Sequence, residues 1–134
     1  MTIASNDAIA ISRRDANGAS TGGAGVLLYG TTANTSNVTQ LTSRTTGVTL
    51  NSPVGTITLF SVVNSAIDST FTLTNSFIDA GDVVVVTQKT GADPRRIAVT
   101  ATAAGSCAIT SASISGTTTE SPVYSFAVIK GAIV

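Results

Sequence analysis

Thr56-Ile57-Thr58-Leu59 and Thr70-Phe71-Thr72-Leu73-Thr74 alternate threonine with an apolar residue at every step. Successive side chains of a strand point to opposite faces, so this period turns Ile57, Leu59, Phe71 and Leu73 toward a core and the threonines away from it. A helix would bring the same residues around on a 3.6-residue period and bury none of them consistently. The stretch therefore predicts β-sheet with one covered face.

The pattern extends on both sides. Strands are expected over residues 26–29, 38–42, 47–50, 55–62, 70–75, 82–89, 96–101, 106–112 and 123–130. Turn chemistry separates them at Asn51-Ser52-Pro53, Asp79-Ala80-Gly81-Asp82, Gly91-Ala92-Asp93-Pro94, Ala104-Gly105 and Ser115-Gly116. Short strands at this spacing, without helical periodicity, predict an all-β fold, an antiparallel β-sandwich of jelly-roll type. Val83-Val84-Val85-Val86 is continuously apolar and reads either as a central strand covered on both faces, by the sandwich core on one side and a subunit neighbour on the other, or as a well-buried core strand. Tyr124, Phe126 and Val128 share one face of a strand and Val123, Ala127 and Ile129 the other, which again predicts cover on two sides. Phe60, Phe71 and Phe126 read as core.

The first 24 residues differ. Asn17-Gly18-Ala19-Ser20-Thr21-Gly22-Gly23-Ala24-Gly25 holds nothing large to pack, and Ala8-Ile9-Ala10-Ile11 is long enough for only one short strand. The expected organisation is a flexible N-terminal arm over residues 1–24, with Arg13 and Arg14 as its dense charge, followed by one β-sandwich domain over 25–134.

Composition removes whole classes of function. The chain has 134 residues, seven Lys+Arg against seven Asp+Glu, and only 10% charged residues, so it lacks the basic footprint of a nucleic-acid or anionic-membrane binder. Its polarity comes from Ser and Thr hydroxyls, a surface suited to packing against protein, including copies of itself. Neither a basic n-region with an apolar h-region nor an apolar run of membrane-spanning length is present, which predicts a soluble product of the cytoplasm. A single cysteine, Cys107, excludes an intrachain disulfide and, beside Ala108 and Ile109, reads as a core thiol.

With no histidine, the Ser-His-Asp and Cys-His arrangements are absent. Glu120 is the sole glutamate, and Asp68, Asp79, Asp82 and Asp93 occupy turn contexts in which Asp bonds its own backbone. Asp79 and Asp82 offer two carboxylates to a hard cation, without an EF-hand pattern around them. Lys89 and Lys130 fall near strand ends, where a solvated charge is expected. We read no catalytic residue, no metal and no cofactor. Arg44 stands alone among small hydroxyl residues, in Thr42-Ser43-Arg44-Thr45-Thr46, and is read either as simply exposed or as anchoring a subunit interface. The apolar end, Ala132-Ile133-Val134, points to an interface too. The candidate interface residues are Arg13, Arg14, Arg44, Val84, Val86, Ile133 and Val134.

The segment Val38-Thr39-Gln40-Leu41-Thr42-Ser43-Arg44-Thr45-Thr46-Gly47-Val48-Thr49-Leu50-Asn51 resembles small β-rich proteins encoded in phage and prophage genomes. Gly55-Thr56-Ile57-Thr58-Leu59, Phe71-Thr72-Leu73-Thr74-Asn75-Ser76, Asp82-Val83-Val84-Val85-Val86, Val99-Thr100-Ala101-Thr102-Ala103-Ala104-Gly105-Ser106 and Phe126-Ala127-Val128-Ile129-Lys130 resemble the same family in the same order. The resemblance implies a virion structural protein, either a decoration (cement) protein on the capsid exterior or a fibre or spike module binding a host-surface glycan. It brings no catalytic residue. A short chain beginning at Met1 fits the separate decoration protein better, with the major capsid protein and its own copies as partners. A homotrimer is expected.

Overall fold

A computed structural model describes residues 36–131 of the chain. The expected arm, the expected strand at 26–29, and Arg13, Arg14, Ile133 and Val134 lie outside the described residues. Within them the chain forms ten strands: β1 (Asn37–Thr39), β2 (Val48–Thr49), β3 (Val54–Thr58), β4 (Val62–Val63), β5 (Ser69–Thr74), β6 (Val83–Thr90), β7 (Arg95–Ala103), β8 (Ser106–Ser113), β9 (Thr119–Glu120) and β10 (Val123–Ile129). Among the described residues no helix is long and apolar enough to cross a membrane.

Two four-stranded sheets, in the orders β1-β3-β10-β6 and β2-β5-β8-β7, face each other, and a two-stranded ribbon, β4-β9, closes one end. Most pairings are antiparallel, as expected, but β1 runs parallel to β3 and β2 runs parallel to β5. Successive strands mostly change sheets; β7 and β8 form a hairpin within one sheet, turned by Gly105 at φ +80°. Side chains from both inner faces make one core. Ile57, Val84, Tyr124, Phe126 and Val128 come from the first sheet, and Val48, Phe71, Leu73, Cys107 and Ile109 from the second. Burying each large apolar side chain contributes about 2 kcal/mol. Gly55 sits where β3 passes close to its neighbours. A Cβ there would lie 2.8 Å from Leu50 Cδ2 and 3.0 Å from the Phe126 ring.

The alternation that opened the sequence reading holds. Ile57, Leu59, Phe71 and Leu73 are buried, while Thr70, Thr72 and Thr74 are exposed. Phe71 and Phe126 are core, as read, whereas Phe60 is half-buried and Phe77 is exposed.

Three expectations are corrected. The Val83–Val86 run is not a central strand, because among the described residues β6 lies at an edge of its sheet. Val84 is buried and Val86 packs against the core, while Val83 and Val85 are exposed. The candidate interface residues Val84 and Val86 thus face inward, because the two-residue period gives the core every second valine whatever its neighbours are. β10 repeats the lesson: Tyr124, Phe126 and Val128 are buried, but Ile129 is 49% exposed. The expected strand 55–62 also breaks. Leu59 N–H donates to the carbonyl of Pro122 at 2.9 Å, and Pro122, with no N–H, cannot return a ladder bond. The chain leaves the sheet there and resumes as β4, paired with β9, a strand the alternation did not predict.

Candidate functional site

Strand directions bring the loops 40–47, 59–68, 91–94 and 114–122 to one end of the sandwich. These segments carry few large apolar residues facing inward, so hydrogen bonds hold them. Arg44 is the hub. Its Nε donates to Phe60 O at 3.0 Å, its Nη1 to Asn64 Oδ1 at 2.7 Å, and its Nη2 to Val62 O at 3.1 Å and Glu120 O at 2.8 Å. Gln40, also buried, donates from Nε2 to the carbonyls of Arg44 and Thr46 and accepts Phe60 N–H at its Oε1. Gln40 N–H still donates to Thr58 O at 2.9 Å, so its inward side chain ties the loop to the end of β1.

Asn64 joins the two charge signs. Its Oδ1 accepts from Arg44 and, at 2.8 Å, from Arg95 Nη2; its Nδ2 donates to Asp93 Oδ2 and to Glu120 Oε1, each at 2.7 Å. Asp93 also accepts Thr118 N–H at 3.0 Å and the Thr118 hydroxyl at 3.1 Å. The Asn64 amide, together with these Thr118 donors, holds the Asp93 carboxyl below its ordinary value, since hydrogen bonds to the ionised form favour it. Glu120 accepts Ala92 N–H at its other oxygen. Below the network, Tyr124 donates to Ser111 Oγ at 2.8 Å, and burial pushes its phenol above the ordinary value.

Each of these groups holds another loop, so the arrangement fixes the shape of the tip. On that frame Leu41 and Ile67 are each 81% exposed, with Ile114 and Val63 also largely in solvent. Large aliphatics displayed on hydrogen-bonded loops make a surface ready for an apolar partner without reordering.

The opposite end carries a second cluster. Lys130 Nζ lies 2.6 Å from Asp79 Oδ2, 2.6 Å from Asp82 Oδ2 and 3.0 Å from the Phe77 carbonyl. The pair read as a possible cation site already holds the ammonium of Lys130, which is ion-paired rather than simply solvated. Asp82 Oδ1 accepts Gly131 N–H, and Asp82 is held down at about 2, first by Lys130 and then by the Asp79 N–H. Among the described residues no group of three or more His, Cys, Asp or Glu side chains converges as metal ligands.

Of the candidate interface residues that are described, none lies on an outer face. Arg44 is 8% exposed and its guanidinium is bonded within the chain, so it is neither simply exposed nor displayed to a partner; Val84 and Val86 face the core. Nothing in the sequence marks Asn64, Asp93, Arg95 and Glu120 as a group. Their only sequence signal is that polar residues able to make several bonds sit between strands, and the 20-residue gap from Arg44 to Asn64 and the 56-residue gap from Asn64 to Glu120 hide the pairing.

The outward face of the β2-β5-β8-β7 sheet is a second candidate surface. Thr70 and Thr110 hydroxyls meet at 2.7 Å and Thr110 and Thr100 at 3.3 Å, a row across three strands. Thr72, Thr74, Ala98 and Ala101 surround it, exposed and uncharged. No family model, no curated protein and no solved structure matches the chain.

Proposed function

We propose that the protein is a bacteriophage virion structural protein, a capsid decoration protein that binds the outer shell as a homotrimer and bridges neighbouring coat subunits. The observation that carries the reading is the outer face just described: a sheet of Thr, Ser and Ala side chains, cross-linked by its own hydroxyls and bare of charge across Thr70, Thr72, Thr74, Ala98, Thr100 and Thr110. Such a face meets another protein surface at little desolvation cost for ions, with the hydroxyls of Thr72 and Thr74, outside the bonded row, able to exchange water for partner carbonyls. The rigid apolar tip adds a second contact, which a bridging protein needs. The resemblance of the Thr-rich segments to phage-encoded proteins supports the same reading.

Its role is mechanical. A protein that binds the assembled shell but not free coat subunits stabilises the shell by mass action, so its binding energy opposes internal genome pressure. The arm, residues 1–24, supplies reach to a neighbouring subunit, and the product is made in the host bacterial cytoplasm.

The test is attachment. Purified protein incubated with undecorated phage heads is expected to co-sediment with them, to raise their rupture temperature, and to show three copies per particle of protein by light scattering. A single-chain mass at micromolar concentration together with no head binding would overturn the proposal. Binding to a glycan array with density on the tail would replace it by the fibre or spike reading. Deleting residues 1–24 should weaken attachment while leaving the melting curve unchanged.

A further inference from the structure

The outward face of the β1-β3-β10-β6 sheet is apolar at one end. The register places Val54 beside Ala127 and Ala127 beside Val85, and in the next row Ile129 beside Val83. Val83 is 57% exposed and Val85 43%. In the other direction the same strands carry Thr56, Ser125 and Thr87, so the apolar cluster ends where hydroxyls begin.

The chain enters this sheet beside the cluster. β1 runs parallel to β3 with Asn37 opposite Thr56, and Ser36 O accepts Thr56 N–H at 3.0 Å. The described chain therefore begins at the Val54 end of the sheet, the apolar one. Ten residues before Ser36 begins Val26-Leu27-Leu28-Tyr29, four large side chains in a row.

We propose that Val26-Leu27-Leu28-Tyr29 docks in cis on the Val54, Val83, Val85, Ala127 and Ile129 face. Reach permits it: β6 lies three strand spacings from β1, about 14 Å, and the six residues from Gly30 to Thr35 span up to about 20 Å. Size favours it over a second globular copy. Two rows of small aliphatics offer a few hundred Å², whereas a stable dimer buries about 800 Å² per partner; four extended residues, about 13 Å long, match the cluster. This inference stands apart from the virion reading and anchors the base of the arm whatever the arm binds.

The test uses full-length chains carrying Val85→Cys with either Leu27→Cys or Leu28→Cys, treated with a short bismaleimide. Cys107 is buried and does not compete. At least one pair is expected to cross-link at monomer mass, with severalfold higher yield than the same segment paired with Thr72→Cys on the opposite sheet. In the uncross-linked full chain, Leu28→Ser should raise apolar-dye fluorescence severalfold without changing the far-ultraviolet spectrum. Cross-links at dimer mass, yields equal to those of the Thr72 control, or no cross-link with an unchanged dye signal would each overturn the proposal.

Discussion

Arg44 donates four hydrogen bonds, three of them to backbone carbonyls on two different loops. Arg44→Ala leaves these acceptors without their donor in a site that is 8% exposed, and should cost about 3 kcal/mol in urea unfolding. Arg44→Lys keeps the charge but not the planar fork, and should recover less than half of the loss. Gly116 has φ +95°, and a Cβ there would fall against the Asp93 carboxylate. Gly116→Ala should therefore cost more than the ~1 kcal/mol of a strained turn glycine, since it also displaces Asp93 from Thr118. Cys107 is 2% exposed and burial pushes its thiol up to about 11. It should stay unlabelled by a maleimide in the native protein and react at the rate of global unfolding, because the thiolate is the reactive form.

Among elements, the strand β10 ends in a clasp that gives stability a pH dependence. Asp82 titrates at about 2 in the folded chain against an ordinary 3.8. A depressed carboxyl adds stability above its unfolded value and loses it as pH falls through the folded one, so the acid limb should lie between about pH 4 and pH 2. Lys130 is raised above 10.5, first by its bond to Asp79 and then by that to Asp82, so its contribution is complete below that value and fades as pH rises through the folded value. Melting temperature against pH should show both limbs in the wild type. Asp82→Asn should reduce the acid limb to the part that Asp93 supplies, and Asp79→Asn should do less, because the Asp82 side chain is 2% exposed and that of Asp79 is 72%. The hairpin β7–β8 has a register shift between Val99 and Ala101, which adds Ala101 to the outer face beside Thr100, bonded there to Thr110. Removing the Thr110 methyl and hydroxyl with Thr110→Ala should leave stability within about 0.5 kcal/mol, as for most surface changes, and, if the proposed decoration role holds, should weaken co-sedimentation with phage heads.

For the whole molecule, connectivity governs kinetics. β3 pairs with β10 across Thr58 and Val123, and β5 with β8 across Thr70 and Thr110, so most sheet bonds close long loops before any packing is gained. Folding of the chain should be slow for its size, in the range of milliseconds to seconds by stopped-flow fluorescence of its two tyrosines, as for other sheets of non-local pairs. Phe71→Ala, at the centre of the core and 2% exposed, should cost about 3–5 kcal/mol and leave the two-sheet arrangement intact.

Legibility followed the range of the interaction. The alternation in Thr70–Thr74 predicted its own burial because the period of a strand is local, and turn residues such as Gly105 marked their turn for the same reason. The Val83–Val86 run misled because a valine's sequence neighbours do not report which strands flank it. Arg44 read as an isolated charge because its partners, Phe60, Asn64 and Glu120, are distant in sequence. The sequence by itself determined an all-β chain, its inward residues and most of its strands, since backbone geometry imposes that pattern residue by residue. Only the tertiary structure decided the sheet order, the buried Arg44–Asn64–Asp93–Glu120 network and which valines stay outside, because each depends on which distant strands become neighbours.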